Sequence, residues 1–367
     1  MKYLEKIKKP TLLLDENICR NNIRRMARKA SDSGVIFRPH FKTHQSIEIG
    51  RWFREEGVEK ITASSVTMAG HFARNGWNDI TIAFPFNIRE ADDVRSLMKV
   101  ADINILVTDH THIEFIESAT GLSTGCFVKI NTGNNRSGTD WDDKAELERI
   151  AGTFRKAKHL RLKGILTHAG HSYKSSSREE IERISAETVS RLRKAAQSFS
   201  ATDLTISSGD TPGCSVSEKF EGLDEIRPGN FVFYDLMQVQ LGSCTPGQVA
   251  VAVACPVVEK NNRKKEVIIY GGGVHLSKDS LKLKDGRTVY GQVVYLTDNG
   301  WVFPGKDTYL RSISQEHGII DAEGEVFDNL ERGGLVGILP VHSCMTADVL
   351  REYHLPNGKV ISDFSPK

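Results

Sequence analysis

The chain has 367 residues, enough for about two domains with full hydrophobic cores. Its 39% hydrophobic and 26% charged residues are those of a soluble globular protein. A formal net charge of +2 with no dense basic stripe speaks against nucleic acid as a partner, and no apolar run approaches the ~20 residues of a membrane span. The six cysteines are scattered without a CxxC pair, and the N-terminus lacks the apolar core of a secretory signal; both predict a cytoplasmic protein with reduced thiols.

Asp15 is placed to cap a helix running to about Ala30, with Gly34 stopping it. Eight short β-rich runs follow: Val35–Pro39, Lys60–Ala63, Asp79–Phe84, Ile103–Thr108, Cys126–Asn131, Leu162–Thr167, Leu204–Ser207 and Phe231–Tyr234. Between most of them lie amphipathic helix candidates such as Gln45–Glu56, Asn87–Lys99, Asp143–Ala157 and Ser177–Phe199, and Gly57, Gly76 and Gly164 are expected at helix-to-strand turns. This alternation predicts a (β/α)8 TIM barrel, here over residues 13–243; a doubly wound sheet is the alternative, but no Gly-rich dinucleotide turn follows the first strand. Beyond about Gly242, the strand signals Val249–Val257, Glu266–Tyr270, Thr288–Leu296 and Leu335–Leu339 are separated by turns without long helices. They predict an antiparallel β domain built from residues 1–12 and 244–367.

In such a barrel the chemistry sits at the C-terminal ends of the strands. After the first comes Arg38-Pro39-His40-Phe41-Lys42-Thr43-His44, a lysine among cationic and ring side chains, which favour a neutral amine able to form a Schiff base. A solvated surface loop fits the same residues. Arg136 follows the fifth strand, and His168 with the Gly170-His171-Ser172-Tyr173 turn follows the sixth. After the seventh, Ser207-Ser208-Gly209-Asp210-Thr211-Pro212 offers hydroxyls and backbone N–H groups as an anion cradle, although these are also ordinary turn formers. Pro228-Gly229-Asn230, expected just before the eighth strand, adds a donor or simply a tight turn. An imine-forming lysine with a phosphate cradle suggests pyridoxal phosphate, or an aldolase acting on a phosphorylated sugar.

Near the C-terminus, His342-Ser343-Cys344 places an imidazole and a thiol two apart. On an extended segment both point the same way and form a donor set suited to zinc; a packed His beside a buried Cys satisfies the same pattern. Ser314-Gln315-Glu316-His317-Gly318 is a further polar cluster, able to line the same cleft or to pair on the surface.

Taken together these blocks resemble the fold-type III pyridoxal enzymes of the D-serine dehydratase and D-threonine aldolase group, distant relatives of alanine racemase. The likeness runs through Arg38–His44, Asn131-Thr132-Gly133 to Arg136-Ser137-Gly138, Thr167–Tyr173, Ser208–Pro212, Arg227-Pro228-Gly229-Asn230-Phe231-Val232-Phe233-Tyr234-Asp235, Glu316-His317-Gly318 and His342-Ser343-Cys344. The resemblance implies that Lys42 is the imine-forming and catalytic lysine and that Arg136 meets the cofactor's phenolic oxygen. It implies that the 207–212 loop (Ser208, Gly209, Asp210, Thr211) with Gly229 and Asn230 holds the phosphate, with His40, His168 and Tyr173 also against pyridoxal 5'-phosphate. His342 and Cys344 become the ligands of Zn2+ or another divalent ion, and the family implies a homodimer acting on D-amino acids that often carry a β-hydroxyl. Family aldolases tend to have His-x-Asp where dehydratases have His-x-Cys, so Cys344 implies water and ammonia elimination to a 2-oxo acid. Retro-aldol cleavage is the alternative and racemisation the third. Val341, in place of a usual Asn, and Tyr270-Gly271-Gly272-Gly273-Val274, in place of an Asp-Ala-Gly pattern, mark a divergent subgroup.

Overall fold

The computed structural model describes residues 3–199 and 203–362. The chain divides into two compact units, one of residues 24–229 and one of residues up to 23 together with those from 230 onward.

The first unit is the barrel. Its strands are β1 (Ile36–Phe37), β2 (Lys60–Ala63), β3 (Asp79–Pro85), β4 (Asp102–Val107), β5 (Gly125–Asn131), β6 (Arg161–Leu166), β7 (Thr205–Ser208) and β8 (Glu225–Ile226). From β2 to β8 each pairs in parallel with its sequence neighbours, β8 pairs with β1, and an isolated parallel bridge between His40, just after β1, and Thr62 of β2 completes the ring. Leu106, Phe127 and Leu166 pack together in its core. The helices are α1 (Glu16–Asp32, begun within the other unit), α2 (Ile47–Glu55), α3 (Val66–Arg74), α4 (Ala91–Leu97), α5 (His110–Thr120), α6 (Lys144–Lys156), α7 (Arg178–Ala196) and the short α8 (Thr211–Val216). Their starts follow the side-chain oxygens in the sequence: Asp15, Ser46, Asp143 and Ser177 each accept a backbone N–H of the first turn.

Two expectations for this unit are corrected. Residues 231–234 do not form the eighth strand. Asn230–Val232 is a 3-10 turn and Tyr234 sits at φ +50°, while Phe231, Val232 and Phe233 are fully buried. A buried apolar run has no periodicity to distinguish strand from turn. The true β8 is Glu225–Ile226, so Pro228-Gly229 leaves the C-terminal end of the strand instead of entering it. Gly57 and Gly76 do end helices at positive φ, but Gly164 lies inside β6, where a Cβ would run into the Thr205 carbonyl and the Phe127 ring.

The second unit is a largely antiparallel sheet. Val251–Asn261 is its spine, flanked by Thr11–Leu14 on one side and Leu335–Pro340 on the other, with Gly291–Thr297 beyond. Glu266–Tyr270 pairs with the far end of the spine and with His317–Asp321. The run expected as one strand from Thr288 to Leu296 is interrupted at Tyr290. Among the described residues no helix is long and apolar enough to cross a membrane.

His342 and Cys344 are not on an extended segment. The strand ends at Pro340, His342 is the N-cap of the helix Ser343–Leu350, and Cys344 lies in its first turn.

Candidate active site

In the barrel unit, the residues expected at the mouth lie where the strands end. Lys42 is exposed in the turn after β1, and its backbone N–H points to His40 Nδ1 at 3.4 Å. His168 follows β6 and its Nδ1 donates to the Gly209 carbonyl, 2.7 Å away. Gly209 has no room for a side chain, since a Cβ would stand 2.6–2.8 Å from the Arg227 backbone. Asp210 caps α8: its Oδ1 accepts from Gly213 N (2.6 Å) and from Ser172 Oγ (2.7 Å), while Thr211 N donates to Tyr173 Oη at 3.2 Å. Two loop donors are therefore already engaged. Gly229 approaches the His40 carbonyl closely enough that a Cβ would lie 3.0 Å from it.

Beneath this rim the barrel interior carries a buried ion network. Arg38 Nε meets Glu225 Oε2 at 2.6 Å and its Nη1 meets Asp79 Oδ1 at 2.6 Å. Glu225 Oε1 accepts from Ser207 Oγ, which in turn accepts from Arg227 Nε, both at 2.7 Å. Lys129, on β5, is 5% exposed, and burial followed by the charges of Arg227 and Arg136 pushes it down to about 7. Burial, then Lys42, Arg227, His168 and Arg136, holds His40 well below the ordinary imidazole range. His168 falls to about 3, mainly from burial, with Lys129, Lys42 and Arg136 adding to it against the Gly209 hydrogen bond. Burial lifts Asp210 to about 6, against its hydrogen bonds and Arg227. The cations Lys42, Lys129, Arg136 and Arg227 thus act on one set of rings. That surplus of positive charge matches an anionic ligand such as a phosphate ester.

In the sheet unit a second cluster surrounds the His-x-Cys segment. His342 Nδ1 lies 2.9 Å from Asp279 Oδ2. Burial opposes a charge on this ring, but the Cys344 thiol, Asp235 and Asp279 outweigh it and raise His342 to about 9. Asp235 is 1% exposed; its Oδ2 accepts from Ser343 N (3.0 Å) and from Asn230 Nδ2 (2.7 Å), and its Oδ1 from Gln238 N (3.1 Å). Asn230 Nδ2 also reaches Ser343 Oγ at 2.9 Å and Cys344 Sγ at 3.4 Å. The side chain of Asn230 is thereby committed to this cluster. Among the described residues no group of three or more His, Cys, Asp and Glu is arranged to hold a metal, so protein donors here come as the His342–Cys344 pair. An imidazole fixed through Nδ1 by a carboxylate, beside a thiol in an anionic setting, suits a divalent cation. Glu316 pairs with His275 Nε2 at 3.6 Å.

Arg227 and Asp235 lie at the ends of the 227–235 block but with no role assigned to them there, and two further contributors, Asp279 and Glu225, have no local signature in the sequence. Lys129 does have one, being a charged residue midway through an otherwise apolar strand.

Residues 14–236 match the alanine racemase N-terminal domain, and residues 250–355 a putative serine dehydratase domain. A D-serine dehydratase of Dictyostelium discoideum is 28% identical, with 97% of this chain and 96% of that protein covered. A D-threo-3-hydroxyaspartate dehydratase of Delftia sp. (strain HT23) is 30% identical over 92% of this chain and 91% of its own length. The solved structure of the Delftia enzyme superposes with a TM-score of 0.91 at 27% identity and covers both chains completely. A cysteine-to-alanine variant of that enzyme in the metal-free form also gives 0.91 at 27% identity, covering 99% of each chain. This chain belongs to the alanine racemase N-terminal domain family of pyridoxal phosphate-dependent enzymes, in the branch that carries a serine dehydratase domain.

Proposed function

We propose that the chain is a pyridoxal 5'-phosphate- and zinc-dependent lyase, D-serine dehydratase-like, that eliminates water from a D-β-hydroxy amino acid, the released enamine taking up water again to give a 2-oxo acid and ammonia. The observation that carries this reading is the His342–Cys344 pair, with Asp279 on the imidazole and Asn230 on the thiol. The names of the relatives from Dictyostelium and Delftia support it, as does the metal-free description of the Delftia cysteine variant.

Bound pyridoxal phosphate supplies an electron sink for charge at the substrate's α-carbon. A zinc ion supplies a Lewis acid for the β-hydroxyl. Lys42 anchors the cofactor and its Nζ takes the α-proton; its exposed position at the mouth leaves it room to do both. Arg136 would meet the cofactor's phenolic oxygen, and Ser208, Gly209, Asp210 and Thr211 with Gly229 would receive the phosphate. Asn230 adds at most its main chain there, its side chain being engaged elsewhere. His40 and His168, neutral at physiological pH, offer hydrogen bonds without adding charge, and Tyr173 packs near His168 with ring centroids 6.1 Å apart. His342 and Cys344 hold the metal. The same reading makes the enzyme a cytoplasmic homodimer, the first supported by free cysteines at all six positions.

The test is product analysis on the cofactor-loaded protein with D-serine, D-threonine and D-threo-3-hydroxyaspartate, with and without chelator. Keto acid and ammonia are expected, and loss of turnover with chelator. Glycine plus an aldehyde would assign retro-aldol cleavage instead, and chelator-insensitive turnover would remove the metal.

A further inference from the structure

We infer that Asn230 is a positioning residue for the metal-binding thiol: its amide N–H sets the orientation and donor strength of Cys344. The inference rests on the metal reading of His342 and Cys344.

Asn230 is 5% exposed and follows the barrel's last turn, where its neighbour Gly229 invites the reading of a phosphate ligand. Its side chain has other business. Nδ2 lies 2.7 Å from Asp235 Oδ2, 2.9 Å from Ser343 Oγ and 3.4 Å from Cys344 Sγ. The carboxylate fixes which end of the amide faces this group, because an amide oxygen there would oppose Asp235 Oδ2. One amide hydrogen goes to the carboxylate and the other is shared between the hydroxyl and the sulfur. Asn230 Oδ1, turned the other way, meets no hydrogen-bond partner among the described residues.

Asp235 is rigid in turn. It is buried, takes the Gln238 N–H through Oδ1, and receives both Ser343 N and Ser343 Oγ through Oδ2. The amide is therefore held from one side by a fixed carboxylate and presented to the sulfur on the other. An N–H donor on a thiolate draws off electron density, steadies the anion and restricts its rotation, which are the usual effects of an outer partner on a metal ligand. A role confined to packing would leave the sulfur's electronic character untouched, and that difference can be measured.

The experiment uses the full chain, loaded with pyridoxal phosphate, stripped of metal and titrated with Co2+, following the thiolate-to-cobalt charge-transfer band; Zn2+ affinity is read by competition with a chromophoric chelator. Wild type is expected to show the band and Cys344→Ser to lose it. Asn230→Ala is expected to move the band to longer wavelength and weaken Zn2+ binding by about ten- to a hundredfold, with cofactor absorbance unchanged. Should Asn230→Ala fail to fold, Asn230→Ser keeps one shorter donor and is expected to shift the band less. An unmoved band and unchanged Zn2+ affinity in a folded Asn230 variant would overturn the inference. So would loss of cofactor with the metal signals intact, the behaviour of a phosphate ligand. A wild-type protein that shows no cobalt band at all would instead sink the metal reading beneath it.

Discussion

Asp210 offers a stability test whose sign runs against the usual one for a carboxylate. Its folded-state value of about 6 lies above the ordinary 3.8, because burial outweighs the hydrogen bonds from Gly213 N and Ser172 Oγ. Between these two pH values the folded chain keeps a proton that the unfolded chain has released. Stability is therefore fully present below pH 3.8 and is lost as pH rises through about 6. At about 1.4 kcal/mol per pH unit, the loss is about 3 kcal/mol. With the residue only 6% exposed, little solvent screening reduces that figure. Asp210→Asn removes the titration but keeps an equally good helix cap, since the amide oxygen accepts the same two donors.

The two proteins are expected to melt together near pH 4, with the variant more stable by about 3 kcal/mol at pH 8, roughly 6–12 °C for a domain of this size. Thermal melts of the cofactor-free chain across pH 4–8, followed by circular dichroism, measure the gap. A gap that does not change with pH, or wild type the more stable at pH 8, would refute the reasoning. With one negative charge fewer beside the phosphate loop, the variant is also expected to bind pyridoxal phosphate at least as tightly at pH 8, read by absorbance titration.

Asp279→Ala frees His342 Nδ1 and is expected to weaken Zn2+ binding about ten- to a hundredfold while leaving cofactor absorbance unchanged, measured by chelator competition. Gly209→Ala forces a Cβ to within 2.6–2.8 Å of the Arg227 backbone; a loss of about 1–3 kcal/mol and lower cofactor occupancy are expected, against no effect from Gly247→Ala, where nothing lies within 4 Å. Arg38→Met leaves the Glu225 carboxylate, 1% exposed, without its closest cation, and an unfolding free energy lowered by about 3–5 kcal/mol, read from denaturant titration, is expected, partly recovered by adding Glu225→Gln.

How far the fold could be read from sequence depended on where each element's partners lay. Most barrel strands were legible because they carry runs of β-branched and aliphatic side chains, as in Lys60–Ala63 and Asp102–Val107. The eighth was not. Glu225 and Arg227 interrupt the apolar signal at β8; inside the barrel Glu225 pairs with Arg38, 187 residues away in sequence, and both hydrogen-bond to Ser207 Oγ. The 231–234 run is the more apolar and carries the stronger strand signal. Helix starts show the same rule from the other side: Asp15, Asp143 and Ser177 cap their own first turns and stand at the starts of the expected helices, while Ser46 caps one residue past the expected start at Gln45.

The helix at Ser343 lacks such a signal, which is why its first turn read as strand. His342 makes no side-chain cap, and the oxygen that accepts Ser343 N belongs to Asp235, 108 residues earlier. The same distance hides the working parts of the His-x-Cys cluster. Asp279 stands 63 residues from His342, and Asn230 stands 114 from Cys344. A spacing motif can name the two atoms that would touch a metal, because those sit on one short segment. It cannot name the groups that decide the imidazole's tautomer or the thiol's charge, since these arrive from other segments only after the chain has folded. Substituting Asp235 is therefore expected to disturb three things together: the cap of the 343–350 helix, the grip on Asn230 and, through it, the sulfur of Cys344.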